Sequence, residues 1–167
     1  MNRPLALFSL VAVTALAGCG GTKEATPLQK KEAAHLFSEA QFSAGLRDFA
    51  AAEPLLAKAT ELHPGHGPYW AELGTVRRRL GNNSGAKQAY QKSLDAFKAA
   101  AKKDPKDPEL VLQQVYVLAL LGRADDARAT LERALNEIPD DRALKVFAES
   151  KQLDRILADP KFKEIAL

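Results

Sequence analysis

Few side chains in this sequence of 167 residues are typical of chemical function. The only cysteine, Cys19, directly follows a long apolar run. Two histidines, His63 and His66, flank a Pro-Gly turn, and three consecutive arginines occupy positions 77–79. A thiol is a nucleophile, an imidazole is a common metal ligand, and a guanidinium pairs with carboxylates. The candidate chemistry is therefore thiol modification, metal binding and recognition of acidic groups.

Cys19 ends a segment with the composition of a secretion signal. Arg3 precedes an apolar run from Leu5 to Ala17, which is shorter than the ~20 apolar residues of a membrane-spanning helix. The run closes in Leu16-Ala17-Gly18-Cys19. This resembles the lipobox of bacterial lipoproteins, in which small residues give a peptidase access to the backbone before an acylated cysteine. The alternative is an ordinary signal peptide followed by an incidental cysteine.

The lipoprotein resemblance carries several implications. Residues 1–18 would be a cleaved signal peptide, and the covalent lipid on Cys19 would be the only cofactor and the means of membrane attachment. Gly20, rather than an aspartate, follows the cysteine, which in the sorting of such proteins indicates the outer membrane, facing the periplasm. Residues 19–26 are mostly small and polar and are expected to form a flexible tether. The expected location is the bacterial cell envelope.

Beyond the tether, three segments share a pattern of a small residue, a large apolar residue and a second small residue, and two of them close with a proline. The members are Ala52, Leu56, Ala59 and Pro64; Ala86, Tyr90 and Ser93; and Ala127, Leu131, Ala134 and Pro139. Ala52 and Ala86 are 34 residues apart, whereas Ala86 and Ala127 are 41 apart, which is 34 plus about two helical turns. The second segment opens with Trp70-Ala71-Glu72-Leu73-Gly74.

The period and the W-x-x-L-G opening resemble the tetratricopeptide repeat (TPR). The resemblance implies an all-α fold, a right-handed α-solenoid of about three helix pairs. The expected repeats occupy residues 33–66, 67–107 and 108–140, within a repeat region of 27–140. Residues 141–167 are expected to form capping helices, one over 141–151 and a short one from Asp159-Pro160, which cover the apolar edge of the third repeat.

Helix ends are marked by local signals. Thr26-Pro27-Leu28-Gln29 has the spacing of a capping box, and Asp48 and Asn82 are suited to cap second helices. The extra two turns are predicted in the second helix of repeat two, because Gly85–Lys103 contains no internal breaker. Its basic end, Lys98–Lys103, is expected to project beyond the solenoid.

In the geometry of this repeat family the first helices line a concave groove. The resemblance places the following residues there: Phe37, Gln41, Glu72, Thr75, Arg78, Arg79, Gln113 and Tyr116. Phe37 and Tyr116 would be apolar anchors for a partner, and Arg78 and Arg79 would pair with its carboxylates. The alternatives are that the two aromatic rings belong to the inter-helix core and that the arginines form a solvated face.

The remaining candidates are weaker. Two histidines without a third ligand fall short of a zinc site, so no metal is predicted. The sequence has no phosphate-binding glycine loop, zinc-protease helix or nucleophile triad, so no enzyme is predicted. A net charge of +3 gives no reason to expect nucleic acid.

The predicted function is that of a membrane-anchored adaptor, which binds an envelope protein or peptide segment through its groove. Two alternatives belong to other classes. One is a metal-dependent envelope factor using the turn at His63 and His66, and the other is a self-associating structural module built on the long helix of repeat two.

Overall fold

The computed structural model of the chain describes residues 24–167, which form nine α-helices. In chain order these are α1 (Pro27–Gly45), α2 (Phe49–Leu62), α3 (Gly67–Arg79), α4 (Asn83–Lys103), α5 (Pro108–Leu120), α6 (Ala124–Glu137), α7 (Arg142–Glu149), α8 (Gln152–Ala158) and α9 (Pro160–Lys163). The predicted all-α fold is confirmed. The signal segment, Cys19 and the first part of the tether lie outside the described residues. Within 24–167 no helix has both the length and the apolar character needed to cross a bilayer.

The first six helices form three consecutive pairs. α1 packs on α2, α3 on α4, and α5 on α6, while α2 and α4 each also contact the helix that follows. Small residues permit this close approach, as at Gly74, where an added Cβ would lie 2.3 Å from the ring of Tyr90. Tyr90 itself is fully buried. This sequential packing is the solenoid arrangement predicted from the repeats.

The turn inside each pair is built in the same way. One residue takes a left-handed conformation, with φ of 63° at Arg47, 80° at Gly81 and 70° at Gly122. The next amide then bonds back to the first helix, as from Asp48 N to Ser43 O at 2.9 Å and from Asn82 N to Arg77 O at 2.8 Å. These are Schellman turns, which satisfy carbonyls at the end of a helix. Repeats two and three use glycine there, whereas repeat one uses an arginine.

The predicted N-caps are confirmed. Thr26 and Gln29 form a reciprocal capping box at the start of α1. The Asp48 carboxylate accepts the amide of Ala51 at 3.0 Å, and the Asn82 side chain accepts that of Gly85 at 2.9 Å.

The predicted long helix is also present, because α4 has 21 residues and α2 and α6 have 14 each. Its last two turns border two cavities: Lys103 shares one with Glu24 and His63, and Lys98 shares another with Arg133 of α6. The side chains of Lys98, Lys102 and Lys103 are exposed there.

The region after residue 140 differs from the prediction of one helix over 141–151. Lys151 takes a left-handed conformation, with φ of 51°, and separates α7 from α8. Leu144, Leu153 and Phe162 are buried in the same core as repeats two and three, so the capping role is confirmed. The chain then returns to α5, where Leu167 N donates to Leu120 O at 2.9 Å.

Candidate partner-binding groove

The chain's own last residues fill part of the face lined by α3 and α5. We call residues 159–167 the tail. The Phe162 ring packs edge-on against Tyr116 at 5.6 Å between centroids. The Tyr90 hydroxyl donates to Ile165 O at 2.7 Å, and Arg78 Nε donates to Ala166 O at 2.9 Å. The tail therefore reaches past repeat three and docks on repeat two as well.

Next to the tail, the face between α1 and α3 stays open as a cavity of about 590 Å³. We call this cavity the groove. It is lined by Gln41, Ala44, Gly45, Arg47, Phe49, Glu72, Thr75, Arg79, Lys161 and Glu164. Four of the eight predicted groove residues are among them: Gln41, Glu72, Thr75 and Arg79.

The other four predicted residues lie elsewhere. Phe37 is half-buried, with its ring 4.8 Å from that of Tyr69, so the interpretation of Phe37 as an exposed anchor is wrong and the core alternative holds. Tyr116 packs on Phe162 and, together with Gln113, lines a separate cavity of about 570 Å³ between α5, α7 and α8.

The three consecutive arginines have three different partners, because successive helical positions point about 100° apart. Arg77 pairs with Glu53 of α2 at 2.9 Å. Arg78 holds the tail and also donates to Asn83 at 3.0 Å. Arg79 pairs with Glu164 of the tail and lies 5.9 Å above the Phe49 ring. The three arginines therefore do not form one patch, and of the three only Arg79 lines the groove.

The groove carries both signs of charge. Burial raises the pKa of the Glu72 carboxyl, and within residues 24–167 no cation pairs with it. Burial, and then the charge of Glu72, raise the pKa of Tyr116 as well. A half-buried carboxylate without a cation favours a ligand that brings a donor or a positive charge. Arg47 and Lys161 offer positive charge on the groove's rim.

The histidine pair lies outside the groove. The rings of His63 and His66 stack at 5.1 Å, and His66 also packs on Tyr69 at 4.1 Å. Burial lowers the pKa of both, with Lys30 adding to the shift at His63 and His63 adding to that at His66. In the described part of the chain no three potential metal ligands come together.

Several groove residues were not identified from the sequence. Arg47 and Phe49 flank the turn of repeat one, and Lys161 and Glu164 belong to the tail. The Asp159-Pro160 signal predicted the start of α9 correctly. The hydrogen bonds that hold the tail against α3 and α4 join residues far apart in sequence, so no local sequence pattern could have predicted them.

Two family models match the chain, both described as tetratricopeptide repeat, over residues 39–97 and 86–146. The matches overlap within α4, so together they run from α1 into α7. A comparison with curated proteins finds no match. The helix pairs, the shared turns and these matches agree, and the chain is a tetratricopeptide-repeat protein.

Proposed function

We propose that the protein is a lipid-anchored adaptor of the bacterial cell envelope, which holds a segment of a partner protein in the groove between α1 and α3. Tetratricopeptide repeats are protein-interaction modules, and they act by binding rather than by catalysis. The observation that carries the proposal is the groove itself. It is open, about 590 Å³ in volume, and contains a half-buried carboxylate, Glu72, which no cation of residues 24–167 pairs with.

The size and chemistry of the groove favour a peptide segment over a small polar metabolite. The cavity is bounded by apolar surface from Ala44 and Phe49 as well as by charged groups. A side chain with an apolar stem and a cationic or amide head would cover that surface and reach Glu72. We therefore propose a partner segment that presents a lysine, arginine or amide side chain at this point.

The proposal of a membrane anchor rests on Leu16-Ala17-Gly18-Cys19, which resembles a lipobox. We propose a lipid on Cys19 and, from Gly20, a place on the periplasmic side of the outer membrane. Intact mass measurement of the envelope-extracted protein should give a chain that begins at Cys19 and carries the lipid. The Cys19→Ser chain should leave the membrane fraction while keeping its helical circular dichroism. Unchanged membrane retention of that variant after a high-salt wash, which removes electrostatic attachment, would contradict the anchoring.

Groove binding is tested by reversing its charge without touching the residues that hold the tail. The double variant Gln41→Arg, Glu72→Lys should lose the envelope proteins that the wild type recovers after chemical crosslinking. A matched control is available on α4, where Gln91 and Asp95 are exposed and bond to each other at 3.0 Å. Gln91→Arg, Asp95→Lys changes the charge by the same amount outside the groove. Equal recovery by the two double variants would contradict the proposed site.

A further inference from the structure

The extra turns of α4 carry a group of cations. Lys98, Lys102 and Lys103 are exposed in the last two turns, and Lys106 follows in the loop. At 1.5 Å per residue, the seven residues by which α4 exceeds α2 extend it by about 10 Å. Lysines at a helix C-terminus complement its dipole, but that effect is confined to the last turn and does not require a longer helix.

On one side of these turns lies a cavity of about 510 Å³. Lys98, Lys102 and Arg133 line it, and among the described residues Glu137 is the one carboxylate that does. Within residues 24–167 none of the three cations has a carboxylate within 4.0 Å. The remaining wall is largely apolar, with Ala101, Pro105, Val111 and Ala134. Cationic side chains beside an apolar wall are suited to a ligand with an anionic headgroup and a hydrocarbon chain.

On the other side lies a cavity of about 460 Å³, which brings Lys103 together with Glu24 and Ala25. The described chain thus begins beside the basic end of α4. Cys19 precedes Glu24 by five residues, which span at most about 18 Å when fully extended. A lipid on Cys19 would therefore keep this end of the solenoid close to the bilayer surface.

We propose that the end of α4, with Arg133 of α6, binds the headgroups of an anionic phospholipid membrane. We call this surface, formed by Lys98, Lys102, Lys103, Lys106 and Arg133, the basic end. The inference builds on the proposed lipid anchor and gives the domain an orientation, with the basic end on the bilayer and the turns at Arg47, Gly81 and Gly122 directed away from it. Asp104 lies among the lysines, whereas the Asp107 carboxylate is engaged in capping α5.

The only tryptophan is a native reporter of this orientation. Trp70 lies at the same end of the solenoid, where its Nε1 donates to Pro64 O at 2.8 Å. We would produce the full-length chain in a bacterium and mix it with vesicles containing dansyl-phosphatidylethanolamine. Energy transfer from Trp70 to dansyl is compared between vesicles of phosphatidylcholine and vesicles with phosphatidylglycerol added.

The expected result is stronger transfer with phosphatidylglycerol, which weakens as salt is added because surface charges are screened within about 10 Å at 0.1 M. Lys102→Glu, Lys103→Glu should reduce the apparent affinity for the anionic vesicles by tenfold or more, since each cation near such a surface contributes about a factor of five. The control Lys87→Glu, Lys163→Glu makes the same charge change toward the opposite end and should bind as the wild type does.

Equal transfer with both vesicle types would overturn the proposal. So would an equal loss in the two double variants, because that would show attraction to net charge rather than to the basic end. If the chain carries no lipid on Cys19, the result differs from the one that would overturn the basic end. An unacylated chain would not associate with phosphatidylcholine vesicles at all, yet its binding to anionic vesicles would still depend on Lys102 and Lys103.

Discussion

The face formed by α1, α3 and α5 has two halves, and the tail covers one of them and leaves the other open. Between α3 and α5 the tail fills the surface, with Phe162 buried and Tyr90 bonded to Ile165 O at 2.7 Å. Between α1 and α3 the surface stays open around Glu72. The filled half shows what the exposed repeats can hold: a short helical segment with an aromatic anchor and backbone carbonyls facing donors. The open half is lined by Phe49, Glu72 and Arg79 instead, and under the proposed function it is where a partner segment binds.

The largest effect on stability is expected from removing the Phe162 ring, which holds the tail between α3 and α5. Phe162→Ala should lower the free energy of unfolding by about 3 kcal/mol, because the buried ring leaves a cavity against Tyr116. Urea denaturation measures this change. The neighbouring exposed Lys163 gives a control, since Lys163→Ala should change stability by about 0.5 kcal/mol or less. Equal effects of the two substitutions would show that the tail is not docked.

Alanine substitutions at two glycines compare the packing of the two halves, since Gly74 packs on Tyr90 in the filled half and Gly45 lies in the open half. Gly74→Ala should destabilise the protein by about 2 kcal/mol, because its Cβ would meet the buried Tyr90 ring at 2.3 Å. Gly45 lines the groove, and an added Cβ there meets nothing within 4 Å. Gly45→Ala should therefore stabilise α1 by about 0.5 kcal/mol. Thermal unfolding of both variants tests the contrast, which fails if Gly74→Ala is tolerated as well as Gly45→Ala.

Tyr90 makes the filled half sensitive to alkaline pH. Burial raises the pKa of its hydroxyl to about 12, whereas a tyrosine in the unfolded chain ionises near its ordinary pKa of 10.0. The stabilisation that the neutral Tyr90 hydroxyl contributes is therefore fully present below pH 10 and is lost as the pH rises toward 12, by up to about 3 kcal/mol. Unfolding followed across this range should show a smaller fall for Tyr90→Phe. Identical pH profiles would mean that Tyr90 ionises freely in the folded protein.

At neutral pH the same substitution removes the hydrogen bond to Ile165 O. We expect Tyr90→Phe to lower the free energy of unfolding by about 1 kcal/mol at pH 7, measured by urea denaturation. Thr75→Val is the matched comparison, because the Thr75 hydroxyl lies 3.4 Å from that of Tyr90 and makes the weaker contact. Thr75→Val should therefore have the smaller effect.

The smallest change concerns the turn that borders the open half. Arg47 has φ of 63° where repeats two and three have glycine, so Arg47→Gly should stabilise the protein by about 0.5 kcal/mol. The reverse change in repeat two, Gly81→Arg, should destabilise it by about 1 kcal/mol. Calorimetry on both variants measures whether the two changes in the free energy of unfolding have opposite signs. A loss of stability in Arg47→Gly would indicate that contacts of the arginine side chain outweigh the backbone strain that glycine relieves.

The features that could be predicted from the sequence are the helix caps, which depend on local signals, and the helix lengths, which depend on the repeat period. Thr26, Asp48 and Asn82 cap their helices because capping needs only a side chain and an amide three residues away. The length of α4 followed from the 41-residue spacing. The break at Lys151 was missed because a non-glycine residue in a left-handed conformation leaves no compositional mark. The roles of Phe37 and Arg78 were misjudged because each depends on a residue distant in sequence, Tyr69 for one and Ala166 for the other.

The proposed groove is tested most directly by site-specific photocrosslinking in intact cells, with the photoreactive residue placed in either half of the face. At position 41, in the open groove, we predict a crosslink to a second protein. At position 116, under Phe162, we predict an internal crosslink to the tail and none to another protein. Intermolecular crosslinks at position 116 together with none at position 41 would contradict the assignment of the groove as the binding site.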